Sequence, residues 1–277
     1  LDRLRLPEDA RFRLNLLRGV IHTADSISRV IARKPFFGLR EAEALRTDMD
    51  FAMGAELVHG ILDLKGGTKI TAYGAEHVPK TGPALIASTH PTGAFDYFAH
   101  TGALLNRRPD LKVVANEDMA QFLGHETIIP VRITKQTHLS SKNYTTSRMH
   151  QHLEDGGALL IFGSGRVPDR KDGKLVERNW RSGATRVSQD CNVEIIPAAV
   201  NAQNSSYYYG LRNLAMRLSG NPDTALMVAS LRYVAEMLDQ LGGSYDVHYT
   251  APLPAGTAPE HIQKAAEGLI PDLYEAR

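Results

Sequence analysis

Short apolar runs that alternate with helical stretches from residue 69 onward predict an α/β fold, a single domain on a mainly parallel mixed sheet flanked by helices. Three observations predict it. The runs at 84–88, 158–162 and 193–200 are apolar almost throughout, as strands covered on both faces are. The stretches between the runs are long enough for helices and carry glycine or proline at their edges. A length of 277 residues, with 43% hydrophobic and 23% charged side chains, suits one large α/β unit preceded by a helical appendage. The expected division is an N-terminal helical segment over 1–60 and an α/β domain over 61–277.

The first forty residues hold nine basic against four acidic side chains, whereas the whole chain holds 32 against 31. Within Arg11 to Lys34, the residues Leu14, Leu17, Ile21, Ala24, Ile27 and Ile31 recur at helical spacing, with Arg and Lys beside them. Such a helix suits a membrane surface, where apolar insertion and attraction to anionic headgroups add together. It equally suits packing on a core with a solvated basic back. Lys65-Gly66-Gly67 ends a second helical stretch, and Lys69 to Tyr73 alternates like a strand that closes on a turn at Gly74. Ala84 to Ser88 reads as a buried strand, His90 to Gly93 as a loop, and a helix starts near Ala94. Leu111 to Ala115 and Ile128 to Ile133 are the next strands, followed by a helix over Ser147 to Glu154. Ala158 to Phe162 is a strand leading into a glycine-bearing loop. A helix over Ser182 to Gln189 precedes the strand Val193 to Val200. Residues 201–243 break the rhythm with Tyr207-Tyr208-Tyr209, which in a strand would alternate faces and place at least one ring in the core. A helix over Asp223 to Leu241, a strand over Tyr245 to Tyr249 and a helix from Pro259 complete the chain.

Composition excludes several classes. A net charge of +1 gives no general electrostatic grip on nucleic acid. The single cysteine, Cys191, cannot form an intramolecular disulfide or a cysteine-based zinc site, which points to a reducing compartment. No stretch approaches the ~18 consecutive apolar residues that span a bilayer. The sequence opens on Leu1 rather than Met, which leaves a preceding leader or anchor open.

The densest chemical constellation is His90-Pro91-Thr92-Gly93-Ala94-Phe95-Asp96, directly after a buried strand. Proline and glycine bend the loop, so the carboxylate can fix one ring nitrogen and leave the other to take a proton from a hydroxyl. The bland alternative is a helix-capping or surface histidine beside an unrelated aspartate. A second constellation, Phe162-Gly163-Ser164-Gly165-Arg166, also follows a buried strand. Its glycines let backbone N–H groups approach an anion, and Arg166 adds a bidentate cation. A tight turn with a solvated arginine is the alternative. The loop lacks the glycine two residues before Ser164 that a nucleophile elbow needs, and Pro168 sits where a dinucleotide loop has its last glycine. Arg132, near the end of the strand Ile128 to Ile133, is either a third anion contact or an ordinary strand-end salt bridge.

In their order these segments resemble the lysophosphatidate acyltransferase superfamily of glycerolipid acyltransferases. His90 to Asp96 is similar to its H-x-x-x-x-D motif, Ile128 to Arg132 to its second block, Phe162 to Arg166 to F-P-E-G-T-R, and Ile195-Ile196-Pro197 to V-P-I-V-P. Gly74-Ala75-Glu76-His77-Val78-Pro79 resembles the G-x-E-N-L-P lead-in. Two departures stand out: five residues rather than four separate His90 from Asp96, and Ser164 replaces the usual Glu. Both fit the hemolysin-like branch, which contains ornithine-lipid O-acyltransferases and carries H-P-x-G-x-x-D. Trp180 before a helix, Asn204-Ser205 before the tyrosines, and Leu231-Arg232 are also similar to that branch.

The resemblance implies acyl transfer from an acyl thioester, on acyl carrier protein or coenzyme A, to a lysolipid hydroxyl. His90 is then the general base, Asp96 its orienting carboxylate, and Gly163, Ser164 and Gly165 the oxyanion donors. Arg132 and Arg166 would hold an anionic headgroup. It implies no metal or nucleotide cofactor, and a peripheral place on the cytoplasmic side of the membrane, with 1–60 as the membrane-associating segment. The expected acceptor is a lyso-aminolipid or lysophosphatidate. A lipid-binding module with a disabled dyad, or a thioesterase or lipase using water, are the competing expectations.

Overall fold

A computed structural model describes residues 11–50, 52–131 and 138–275. It divides into two compact units, one formed by the described part of Leu1–Ala52 with Asn204–Leu241, the other by Met53–Gln203 with Gly242–Arg277. Residues 204–241 fall within the stretch where the strand–helix rhythm lapses in the sequence.

The second unit is the α/β body. Its strands are β1 (Lys69–Tyr73), β2 (Ala84–Ser88), β3 (Lys112–Asn116), β4 (Ile128–Val131), β5 (Ala158–Phe162), β6 (Asp169–Lys171), β7 (Lys174–Val176), β8 (Ile195–Val200) and β9 (Ser244–Tyr249). Seven of them form one sheet in the order β1-β9-β8-β2-β5-β3-β4. Strands β8, β2, β5, β3 and β4 run parallel; β9 pairs antiparallel to β8 and parallel to β1. The mainly parallel mixed sheet expected from the sequence is present. Strands β2 and β8 are buried along their whole length, which is why they are written as unbroken apolar runs. Helices Gly54–Asp63, Ala94–Leu104, His138–Glu154, Gly183–Cys191 and Pro259–Glu267 accompany the sheet. Side chains of Leu85, Leu159 and Ile195 join Leu153, Val187 and Ile262 in one core cluster.

Register decides where the chemistry emerges. Ser88 of β2 pairs with Phe162 of β5, so these two strands end level, and with Ala198 of β8, which runs on to Val200. His90 and Gly163 therefore leave the sheet side by side, at the carboxyl edge where parallel sheets place their sites.

Several boundaries differ from expectation. The strand expected from Val193 starts at Ile195, because Val193 N–H donates to the Ser188 carbonyl and Asn192 (φ 52°) closes the preceding helix. The antiparallel hairpin β6–β7 is new; Asp172 (φ 49°) and Gly173 (φ 83°) form its two-residue turn. The part of the expected strand beyond Val131 lies outside the described residues.

The helical unit contains Arg11–Ala32, Leu39–Asp48, Ser206–Ser219, Pro222–Ser230 and Tyr233–Gln240. The single helix expected over Asp223 to Leu241 is two helices. Arg232 sits at the break, buried, with its guanidinium 2.9 Å from Glu236 and donating to the Phe36 carbonyl. The three tyrosines open a helix rather than a strand, with the Ser205 hydroxyl accepting from the Tyr208 N–H. Tyr208 and Tyr209 are core, and Tyr207 is exposed.

Helix Arg11–Ala32 forms as its periodicity predicts, but its faces sort differently. Ile21 and Asp25 are buried, and Asp25 accepts from the N–H groups of Phe37 (2.5 Å), Gly38 (3.1 Å) and Leu39 (3.4 Å), fixing the start of the next helix. Ile27 and Ile31 of the apolar stripe are exposed, and with Leu16, Val20 and Val30 they form an outward apolar face, each 55–84% exposed. The side chain of Leu14 lies outside the described residues. Among the flanking cations, Arg18 pairs with Glu43 (2.9 Å), Arg29 with Glu41 (2.7 Å) and Lys34 with Asp239 (2.7 Å). No helix among the described residues is long and apolar enough to cross a membrane.

Candidate active site

The loop from Thr89 to Gly93 carries the chain from β2 to the helix Ala94–Leu104. Gly93 makes the turn possible with φ 87° and ψ −94°, a conformation closed to other L-residues without strain. Asp96 then falls on the first turn of the helix and faces back. Its Oδ2 accepts from the N–H groups of Thr92 (3.0 Å) and Gly93 (2.9 Å), and its Oδ1 accepts from the Thr92 hydroxyl (2.6 Å). The same Oδ2 lies 2.9 Å from His90 Nδ1, at ion-pair distance, with the ring N–H out of line for a well-aligned hydrogen bond. The five-residue interval thus still brings imidazole and carboxylate together.

Asp96 is fully buried, and the His90 side chain is 17% exposed. Three donors fix the carboxylate in place beside the ring. With Nδ1 turned toward Asp96, Nε2 is the nitrogen left to take a proton. The imidazole stacks on Phe162, ring centroids 4.1 Å apart and 21° between planes. This joins the histidine loop to the end of β5.

The Gly-Ser-Gly loop is held more tightly than its sequence suggests. Gly163 donates to the Ser88 carbonyl (3.0 Å) and accepts from the Arg181 N–H (3.0 Å). A Cβ on Gly163 would lie 1.9 Å from the Trp180 ring, so the open side that the sequence reading left to an anion is filled by the indole. Gly165 (φ 63°) donates to the Phe162 carbonyl (3.0 Å) and closes a tight turn. The N–H groups of Gly163 and Gly165 are therefore engaged; that of Ser164 has no partner among the described residues. The Ser164 hydroxyl is buried, donating to the Arg166 carbonyl (2.8 Å) and accepting from the Arg166 N–H (3.2 Å). That places it out of use as a nucleophile. Arg166 is half-buried at the end of this turn. Arg132 lies outside the described residues.

Three neighbours went unassigned in the sequence reading. His100, one turn beyond Asp96, is fully buried between the Ser88 hydroxyl (2.8 Å) and the Tyr249 hydroxyl (3.0 Å). Burial brings its pKa down to about 4, so it is neutral there. Glu177, after β7, accepts from the His90 backbone N–H (2.9 Å) and from the Trp180 indole N–H (2.6 Å). Burial pushes its pKa up to about 7 against the lowering effect of those two bonds. Trp180 was noted in the sequence but without its role as the lid over Gly163. A separate cleft of about 360 Å³ lies at the opposite edge of the sheet, before β3, β4 and β5, and is lined by Asp110, Lys112, Glu126 and His152. It contains neither member of the dyad.

An imidazole held in this way can take a proton at Nε2 from a group placed there, beside the turn at 163–165. A family model described as Acyltransferase matches residues 29–265. Lyso-glycine lipid O-acyltransferases are similar in sequence. The one from Bacteroides thetaiotaomicron is 23% identical over 189 residues, covering 67% of this chain and 66% of that protein. The one from Phocaeicola vulgatus is 21% identical over 189 residues, covering 67% and 64%. The match thus spans just under two thirds of these relatives' own length. The crystal structure of the 1-acyl-sn-glycerophosphate acyltransferase PlsC from Thermotoga maritima is a structural neighbour. It has a TM-score of 0.48 and 12% identity, covering 95% of this chain and 97% of that one.

Proposed function

Because the chain belongs to the acyltransferase family whose model spans residues 29–265, we propose that it transfers a fatty acyl group from an acyl thioester to the hydroxyl of a lysolipid, with His90 as general base. The observation that carries the proposal is the buried Asp96 carboxylate held 2.9 Å from His90 Nδ1 at the carboxyl edge of the sheet. His90 Nε2 removes the hydroxyl proton as the oxygen attacks the thioester carbonyl, and Asp96 stabilises the imidazolium that forms. The tetrahedral oxyanion is met by the Ser164 N–H, and Arg166 with Arg132 binds an anionic group of the acceptor. Collapse of the intermediate breaks the carbon–sulfur bond, and the imidazolium returns the proton to the departing thiolate.

A lyso-aminolipid is the proposed acceptor, supported by the names of the two sequence relatives. Acyl carrier protein and coenzyme A are the proposed donor carriers. Such an acceptor resides in a bilayer, so the protein is proposed to dock peripherally on the cytoplasmic face. The apolar face Leu16, Val20, Ile27, Val30 and Ile31 supports this role. Because Arg18, Arg29 and Lys34 are paired within the unit, insertion rather than charge is the main contribution.

The test is a matrix of purified protein with acyl carrier protein and coenzyme A thioesters against lyso-glycine lipid, lyso-ornithine lipid and lysophosphatidate. One acceptor should yield a diacylated product by mass, with thiol release that depends on that lipid. Thiol release without any lysolipid would instead support a thioesterase.

A further inference from the structure

We infer that Glu177 is a positioning residue of the site, its carboxylate fixing the histidine loop to the glycine-bearing loop through His90 and Trp180; this rests on the acyl-transfer reading above. Glu177 is 4% exposed. One oxygen accepts from the His90 backbone N–H (2.9 Å), and the other accepts from the Trp180 indole (2.6 Å). The indole in turn covers Gly163, the first residue of the turn proposed to meet the oxyanion. Trp180 is anchored from the far side as well. Its backbone N–H donates to Gln263 Oε1 (3.1 Å), and Gln263 Nε2 donates to Glu267 (2.7 Å). A single side chain therefore sits between the base and the loop that must face the same reacting carbonyl.

A carboxylate is a costly way to fill buried space unless both oxygens meet donors. Here each oxygen meets an N–H, an arrangement that only the ionised form satisfies completely. A protonated carboxyl would set an O–H against one of the two N–H groups. The charged and titratable groups facing Glu177 include His90 and Asp96 from the histidine loop and its helix, Glu267 from the C-terminal helix, and Tyr274 beyond it. Asp96 and Glu267 disfavour its charge, in the same direction as burial. The two bonds to His90 and Trp180 favour the ionised form against this opposition, and the balance leaves the pKa at about 7, so Glu177 changes charge near neutrality. Displacement of a catalytic group by about 1 Å costs on the order of 100-fold in rate.

The experiment compares the full chain with Glu177→Gln, using acyl-transfer kinetics and the NMR pH titration of the ¹³C-labelled His90 imidazole. The His90 signal, one of eleven histidines, is identified by its absence in His90→Ala. Glu177→Gln should lower kcat ~10- to 100-fold with KM for both substrates unchanged. The His90 titration curve should carry two inflections in the parent, its own and that of Glu177, and one in the variant. Unchanged kcat together with an unchanged two-inflection curve would overturn the inference. If Glu177→Gln does not fold, Trp180→Phe keeps an aromatic side chain but deletes the indole donor. The second inflection should then move to higher pH, because the lost bond favoured the ionised form; an unmoved inflection overturns the inference. A parent protein without acyl transfer would remove the functional reading, and the NMR titration would still decide the role of Glu177.

Discussion

Gly163→Ala tests the packing that joins the two halves of the site. An ideal Cβ at Gly163 would lie 1.9 Å from Cδ2 of Trp180 and 2.3 Å from Cε2 and Cε3. Carbon atoms pack at about 3.5–4.0 Å, so the ring must retreat by roughly 1.5–2 Å or the loop must lift. Neither is cheap. The indole N–H is bonded to Glu177 and the Trp180 backbone to Gln263, while Gly163 is bonded to Ser88 and Arg181. Overpacking of this kind costs about 1–3 kcal/mol. Trp180 is the only tryptophan in the chain, so its emission reports on the site directly. In urea unfolding the alanine variant should lose about that free energy, and its emission should shift to the red and become more accessible to a quencher. Acyl transfer by the folded variant should fall more than ~10-fold, since a displaced indole moves Glu177 and with it the His90 loop. A variant within ~0.5 kcal/mol of the parent and with unchanged emission would refute the packing and the coupling drawn from it.

Asp96→Asn places an amide N–H₂ among the Thr92 and Gly93 donors, so it should cost about 1–3 kcal/mol in unfolding free energy and ~10²- to 10⁴-fold in kcat. A rate within twofold of the parent would remove Asp96 from the mechanism. His100 and Glu177 should oppose each other in the pH dependence of stability. His100, near 4 when folded against 6.5 ordinarily, contributes stability that is lost as pH falls from about 6.5 toward 4. Glu177, near 7 against 4.5, contributes stability that is present below about 4.5 and lost as pH rises toward 7. Each shift corresponds to about 3 kcal/mol, so between roughly pH 4.5 and 6.5 the two cancel. His100→Gln should therefore make unfolding free energy rise on acidification, and Glu177→Gln should make it fall; parallel curves for all three proteins would contradict the assignment. Val30→Asp with Ile31→Asp should weaken co-sedimentation with neutral phosphatidylcholine vesicles at least ~10-fold, while 0.5 M salt leaves parent binding nearly unchanged. Binding that depends on anionic lipid and vanishes in salt would assign docking to charge instead.

The elements legible in the sequence were those whose environment is uniform along the chain. Strands β2, β5 and β8 lie in the middle of the sheet, so apolar runs mark them. His90 and Asp96 were legible because one loop and one helical turn hold both. Glu177 was not, because 87 residues separate it from the amide it accepts from, and it follows a charged hairpin that reads as solvated surface. The hairpin itself left a signal in Asp172-Gly173, but its three-residue strands are too short and polar to show alternation. Periodicity located the helix Arg11–Ala32 without telling which face turns inward, since a buried carboxylate, Asp25, decides that. The break at Leu231–Arg232 was hidden for the same reason: an arginine in a helical stretch looks exposed, whereas Arg232 is buried against Glu236.

The most direct measurement of the central claim is lysolipid-dependent release of thiol from an acyl thioester by the parent protein and by His90→Ala, with product masses recorded in the same reactions. The account predicts a diacylated product from the parent, and a rate at least ~10²-fold lower from a His90→Ala protein whose unfolding midpoint matches the parent's. Equal thiol release and equal product from both proteins would show that the His90 imidazole is not the base.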